Sequence, residues 1–173
     1  MVFEVALGTK RTNTTTTPYR WEWQEIVDRF RRVVHTEETM KQYAELSKAQ
    51  KTEIKDVGFF IGGMTVKRKV SFRQLIALDI DEGSPEVLSD LRAWLSGHSY
   101  LIHSTHSSTP EKPRYRVIAP LDRIVVADEY GALMRVLYDQ FHLPIDVATF
   151  DFNRIMFLPS VPKDADYFFE AQT

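Results

Sequence analysis

The chain has no cysteine, which excludes a disulfide framework, a thiolate metal site and a cysteine nucleophile. It has no apolar run approaching the length of a membrane span, and its N-terminus lacks the hydrophobic core of a signal peptide. A phosphate-cradling glycine loop is missing too: Gly58, Gly62 and Gly63 are too irregularly placed, and no other segment supplies one. Nor does charge of one sign dominate. A formal net charge of -2 gives no global sign of nucleic-acid binding and leaves room only for a local basic patch. With no internal repeat and no linker, these absences point to a soluble, cytoplasmic protein.

What is present suits one well-buried core. The 173 residues are short for two independent cores, and the apolar content of 43% and charged content of 27% are those of an ordinary globular chain. We read residues 1–173 as a single domain, with 1–54 an N-terminal arm and helices and 55–162 a core that carries the motifs.

Val2 to Leu7 alternates as a strand, and the polar stretch from Gly8 through the threonine run to Pro18 reads as a loop or extended arm. From Trp21 to Val34 the positions Trp23, Ile26, Val27, Phe30, Val33 and Val34 recur at helical spacing. A second, polar helix is expected over Thr36 to Lys51, with Met40, Tyr43 and Leu46 on one face. Lys67, Arg68 and Lys69 then lead toward an acidic segment. They suit either a polyanionic ligand or a charge-protected hairpin edge.

That acidic segment is Leu75-Ile76-Ala77-Leu78-Asp79-Ile80-Asp81. Its apolar run predicts a strand buried on both faces, and the two-residue period puts Asp79 and Asp81 on one of them. Two converging carboxylates raise the cost of ionising each other unless a cation lies between them. Hard oxygen ligands suit magnesium or manganese. The alternative is that Asp81 opens a turn while Asp79 pairs with an arginine. If the acids only repel one another, Asp79→Ala leaves the fold nearly intact.

Downstream, Ser84, Pro85 and Glu86 cap a helix whose stripe is Val87, Leu88, Leu91, Trp94 and Leu95, ended by Gly97. Strands over 99–104 and 114–120 form a hairpin around the turn that holds His106, and Arg114 and Arg116 share a face. Ala127 to Phe141 predicts a helix with Tyr130, Leu133, Met134, Leu137, Tyr138 and Phe141 inward. An irregular connector with Asp146 and Asp151 follows, then a buried strand over 154–159. Strand, helix and two hairpin strands are the order of a ferredoxin-like, RNA-recognition-type unit. The fold class expected is α+β, a mixed or antiparallel sheet of this kind packed with an N-terminal α/β unit.

Three groups stand out: Asp79 with Asp81, His106 with Arg114 and Arg116, and Asp146 with Arg154. Three carboxylates are the minimal set for two divalent ions, and histidine with arginines supplies donors for a triphosphate. Phosphoryl transfer needs such positioning and charge neutralisation more than a protein nucleophile.

Leu78-Asp79-Ile80-Asp81, Ser104-Thr105-His106, Pro113-Arg114-Tyr115-Arg116-Val117 and Ile145-Asp146 with Asn153-Arg154-Ile155-Met156-Phe157 together resemble the archaeo-eukaryotic primase superfamily. The likeness is to the primase-polymerase domains of phages, plasmids and other mobile elements, and covers roughly residues 55–162. It implies a template-dependent nucleotidyltransferase (DNA primase or polymerase) acting on single-stranded DNA with NTPs or dNTPs and two Mg2+ or Mn2+ ions. It implies Asp79, Asp81 and Asp146 as metal ligands, with Asp151 competing for the third place. It also implies His106, and less directly Ser104, Arg114, Arg116 and Arg154, as nucleotide contacts. Members commonly continue into a helicase or helical primase region, so either a longer parent chain or a partner in trans is expected. A replication-initiator nuclease fits less well, because His103 and His106 are three apart where that class has one residue between its histidines. A non-catalytic nucleic-acid-binding module would want exposed aromatics rather than acids on its sheet.

Overall fold

In the computed structural model, which describes residues 1–67 and 69–173, the buried run becomes the second half of a twelve-residue central strand. In chain order the elements are β1 (Val2–Gly8), β2 (Thr17–Glu22), α1 (Trp23–Phe30), β3 (Val34–His35), α2 (Met40–Glu45), α3 (Lys48–Ile54), β4 (Phe59–Ile61), β5 (Gly63–Val66) and β6 (Lys69–Ile80). Then come α4 (Pro85–Trp94), β7 (Tyr100–Ser104), β8 (Tyr115–Val125), α5 (Ala127–Phe141), a 3-10 turn (Val147–Phe150), β9 (Met156–Phe157), β10 (Ser160–Val161) and β11 (Phe169–Gln172).

Two antiparallel sheets result, ordered β11-β7-β8-β6-β5 and β2-β1-β4-β9, with a short parallel pair β10-β3 beside them. The protein is thus α+β with antiparallel sheets. Beyond a register shift between Arg73 and Leu75, β6 presents alternate side chains to two cores. Ile76, Leu78 and Ile80 join Leu88 and Leu91 of α4 and Tyr130 and Met134 of α5. Leu75 and Ala77 join Phe3, Val5, Phe60 and the buried stripe of α1, Ile26, Val27 and Phe30. Each fully buried aliphatic side chain of this kind contributes about 1.5–3 kcal/mol by leaving water.

The order β6-α4-β7-β8-α5 is that of a split βαβ unit, with β8 between β6 and β7. Where a ferredoxin-like sheet would add its last strand beside the first, only Ile145 bridges Ile80. The preceding hairpin strand β5 pairs with the first part of that edge, from Lys69 to Arg73. Ser84 caps α4 by accepting the Val87 N–H, and Gly97 closes it at a φ of 81°.

Several sequence expectations change. Trp21 belongs to edge strand β2 and not to the first helix, which begins at Trp23 behind a Glu22–Glu25 capping box; Val34 is exposed. The polar helix over 36–51 splits in two because Thr39 and Ser47 each cap a separate short helix, with Gln42 and Gln50 answering them. The strand expected over 154–159 shrinks to two residues. On α5, Tyr130 and Met134 are buried, but Tyr138 is largely exposed and meets Phe150 edge-on; the side chain of Phe141 is outside the description. The basic run sits in the β5–β6 hairpin, where Arg68 lies outside the described residues. At one strand rise per residue, Lys69 is about 30 Å from Asp79, so it takes no part in an acidic site.

Candidate functional site

Register places the site. Asp79 on β6 is opposite Arg116 on β8, and Arg116 is opposite His103 on β7, so one row crosses three strands. The row faces the four-stranded sheet, on the side where Leu75, Ala77, Leu101 and Ile118 are apolar. Two residues on, Asp81 and Arg114 continue it past the strand ends. Arg116 forks onto Asp79, donating from Nε to Oδ1 at 2.7 Å and from Nη2 to Oδ2 at 3.1 Å, and gives its Nη1 to the Phe157 carbonyl at 2.6 Å. Arg114 Nη1 reaches Asp81 Oδ1 at 2.9 Å.

The connector supplies the third acid. The Asp146 N–H donates to the Asp79 carbonyl at 2.8 Å, and its Oδ1 accepts the Ala148 N–H, capping the 3-10 turn. Arg154 Nη2 lies 3.4 Å from Asp146 Oδ2. Buried Arg73 steadies the connector by donating to the carbonyls of Phe152 and Arg154. Asp151 turns elsewhere: it is exposed, and its carboxylate accepts the Asn153 N–H. All three acids, with Ser104, His106, Arg114, Arg116 and Arg154, line one cavity of about 470 Å³. This is within the range of small-molecule sites. The structure therefore brings Asp79, Asp81, Asp146, Ser104, His106, Arg114, Arg116 and Arg154 to one cavity and leaves Asp151 outside its lining.

Burial would raise the Asp79 carboxyl, but the charge and hydrogen bonds of Arg116, aided by Arg154, hold it below the usual carboxylate range. Burial drives the His103 imidazole down to about 3, with Arg116 adding to the effect. This ring is neutral and packed between Phe30 and Tyr167, as a structural histidine would be. Its Nδ1 bonds the Ser104 carbonyl at 2.8 Å, which makes Nδ1 the protonated nitrogen, and Nε2 has no partner among the described residues. His106 is engaged at both nitrogens, Nδ1 with the Ser160 hydroxyl at 2.8 Å and Nε2 with Glu38 Oε1 at 2.9 Å. Burial lowers its pKa against the opposing pull of Glu38. The Ser104 hydroxyl accepts the Phe168 N–H.

Four contributors escaped sequence reasoning: Lys48, Lys55, Glu38 and Ser160. Lys48 and Lys55 both line the cavity. They lie seven apart along α3 and its C-cap, two turns on one side, which is the one signal the sequence offered for them. Burial, then the nearby Arg116, lowers the Lys55 pKa. Glu38 and Ser160 had no local signature. The lining carries five cationic side chains against three carboxylates, a balance that favours an anionic ligand.

The donor set suits a hard divalent cation in chemistry, since three carboxylates line one cavity. In the conformation seen each is instead closed by an arginine, and no three metal-ligating side chains among the described residues are grouped to hold an ion. Among the described residues no helix is long and apolar enough to cross a membrane.

Residues 1–173 match the family model described as the VapE N-terminal domain. No curated protein and no solved structure matches the chain.

Proposed function

This chain belongs to the VapE N-terminal domain family, and from that premise we propose that it is a template-directed nucleotidyltransferase serving the replication of a mobile element. The family suggests that replication-associated setting, and the motif order supports the primase-polymerase reading within it. One observation carries the chemistry: Asp79, Asp81 and Asp146, from two separate segments, line the same cavity as Ser104, His106 and three arginines.

In this reading Asp79, Asp81 and Asp146 hold two Mg2+ or Mn2+ ions. Such ions lower the pKa of an attacking hydroxyl and neutralise the departing pyrophosphate. Arg114, Arg116 and Arg154, with Lys48 and Lys55 at the rim, hold the triphosphate of an NTP or dNTP. His106 donates to a phosphate oxygen once it leaves Glu38. The 3'-oxygen of a primer bonds to the α-phosphorus, the bond to the bridging oxygen breaks, and the hydroxyl proton passes to water. Single-stranded DNA is the template. The description of the family as an N-terminal domain supports a longer parent chain, with a helicase or helical primase region following or acting in trans.

A second reading rests on a specific observation, the arginine on every carboxylate. If those pairs are permanent, the domain binds nucleic acid without catalysis. Labelled-nucleotide incorporation on single-stranded DNA, with and without primer, in Mg2+ and in Mn2+, separates the two. Product that requires template and disappears in Asp81→Asn and Asp146→Asn is the expected result. Absence of product from folded protein in both metals overturns the nucleotidyltransferase in favour of the binding module.

A further inference from the structure

Building on the nucleotidyltransferase reading, we infer that the cavity admits divalent cation and nucleoside polyphosphate only as a pair, because Arg114, Arg116 and Arg154 close the carboxylates until a polyanion draws them off.

The ion pairs grade from locked to loose. Arg116 grips Asp79 at two points with both side chains almost fully buried. Arg114 holds Asp81 by one bond at a half-exposed position, and Arg154 stands 3.4 Å from Asp146. The looser pairs at Arg114 and Arg154 are the ones an arriving polyanion would draw off, and two further features favour that. The Arg154 Nε is buried with no acceptor among the described residues. Lys48 and Lys55 line the same cavity and form no salt bridge with a carboxylate among the described residues, so two further cations can share a phosphate chain with the arginines.

The loss of counter-ions then disfavours either ligand alone. A cation that took the three carboxylates would leave three guanidinium groups without counter-ions, one of them in a nearly dry place. A polyphosphate that took the guanidinium groups would leave three carboxylates facing one another. Losing one member of a buried pair is far costlier than exchanging it for another partner of the same sign. Together the two ligands exchange every pair and strand none. The coupling is reciprocal by linkage, so each ligand tightens the other by the same factor.

Equilibrium dialysis of the intact protein against Mn2+, against an α,β-methylene nucleoside triphosphate, and against both measures this directly, by counting each ligand retained with protein. The expected result is at least a tenfold gain in the affinity of each ligand when the other is present. Arg114→Ala and Arg154→Ala, at the looser pairs, are expected to bind Mn2+ alone more tightly than the wild type and the nucleotide more weakly. Wild type that holds Mn2+ alone as tightly as with nucleotide overturns the coupling, as do arginine variants with unchanged Mn2+ affinity. The nucleotidyltransferase reading then stands if the same protein incorporates nucleotide. Coupled binding without incorporation upholds the exchange and removes the polymerase.

Discussion

The two faces of the five-stranded sheet are built by the same strands in the same register, yet along the paired stretch of β6 and β8 only one of them stays apolar. Toward α4 and α5 the sheet shows Ile76, Leu78 and Ile80 beside Tyr115, Val117 and Ala119, with Tyr100 and Ile102 next to them. Toward the smaller sheet it begins alike, with Leu75, Ala77, Ile118 and Leu101. It then turns to Asp79, Arg116 and His103 in one row. A single alternation thus supplies a core on one side and a half-core ending in a charged cavity on the other. The lesson is that the polar end is bound into the fold by its ion pairs, so function and stability are not separable there by default. Substitutions along the row test how far that binding goes.

Asp79→Ala is the harshest break. Because Arg116 is nearly buried and would lose both bonds, removal of its partner is expected to cost about 3–5 kcal/mol. This is as much as a large cavity in the apolar face. The pairing reverses the expectation, drawn from clustered acids alone, that Asp79→Ala spares the fold. The shift in the denaturation midpoint of Asp79→Ala checks it. A midpoint equal to wild type would mean that Arg116 finds water or another acceptor at no cost, and that the row does not hold the sheet.

That reversal shows where sequence reasoning reaches. The buried strand, its two acids on one face, the hairpin and the last helix follow from local periodicity, which a single chain displays. Which acid meets which arginine depends on register between β6 and β8, and register is fixed by long-range packing. Ile145 before Asp146 favours that acid over Asp151 in the sequence, but the backbone bond from Asp146 to Asp79 that holds it beside the strand is announced by no spacing. Glu38 reaches His106 across 68 residues of sequence. The two-residue period was enough to put the two acids on one face, and it left open whether Asp79 meets a cation or the arginine with which it is paired.

Acid separates the faces more gently. His103 ionises near 6.5 when unfolded and is pushed to about 3 by burial and by Arg116 in the fold. Between those values the unfolded chain binds the extra proton, so stability is full above pH 6.5 and falls as pH drops toward 3. The slope is at most about 1.4 kcal/mol per pH unit from one such group. His106 adds loss in the same direction. Asp79, whose folded pKa is depressed, withdraws its contribution only below its ordinary value near 3.8. Denaturation midpoints between pH 7.5 and 5 are expected to fall for the wild type. They should fall less for His103→Asn, whose amide can still donate to the Ser104 carbonyl. Equal slopes would assign the acid sensitivity to groups outside the row.

Asp81→Asn is the smallest perturbation of the fold and the sharpest probe of the comparison. Its ion pair with Arg114 is half exposed and single-bonded at 2.9 Å, the kind of contact worth under about 1 kcal/mol. If the polar end is a reaction centre, incorporation should drop by about 100-fold or more, the scale reached on removing one group that stabilises developing charge, while the denaturation midpoint barely moves. The same insensitivity of fold and synthesis together would make the Asp81–Arg114 pair a surface tie. In that case the charged end of the sheet would differ from the apolar end in solvation alone. A large loss of synthesis from a side chain that contributes almost nothing to folding would instead place the functional gradient along the row itself. Its inner pair would serve the fold, and its outer pair would be free to trade its arginine for a ligand.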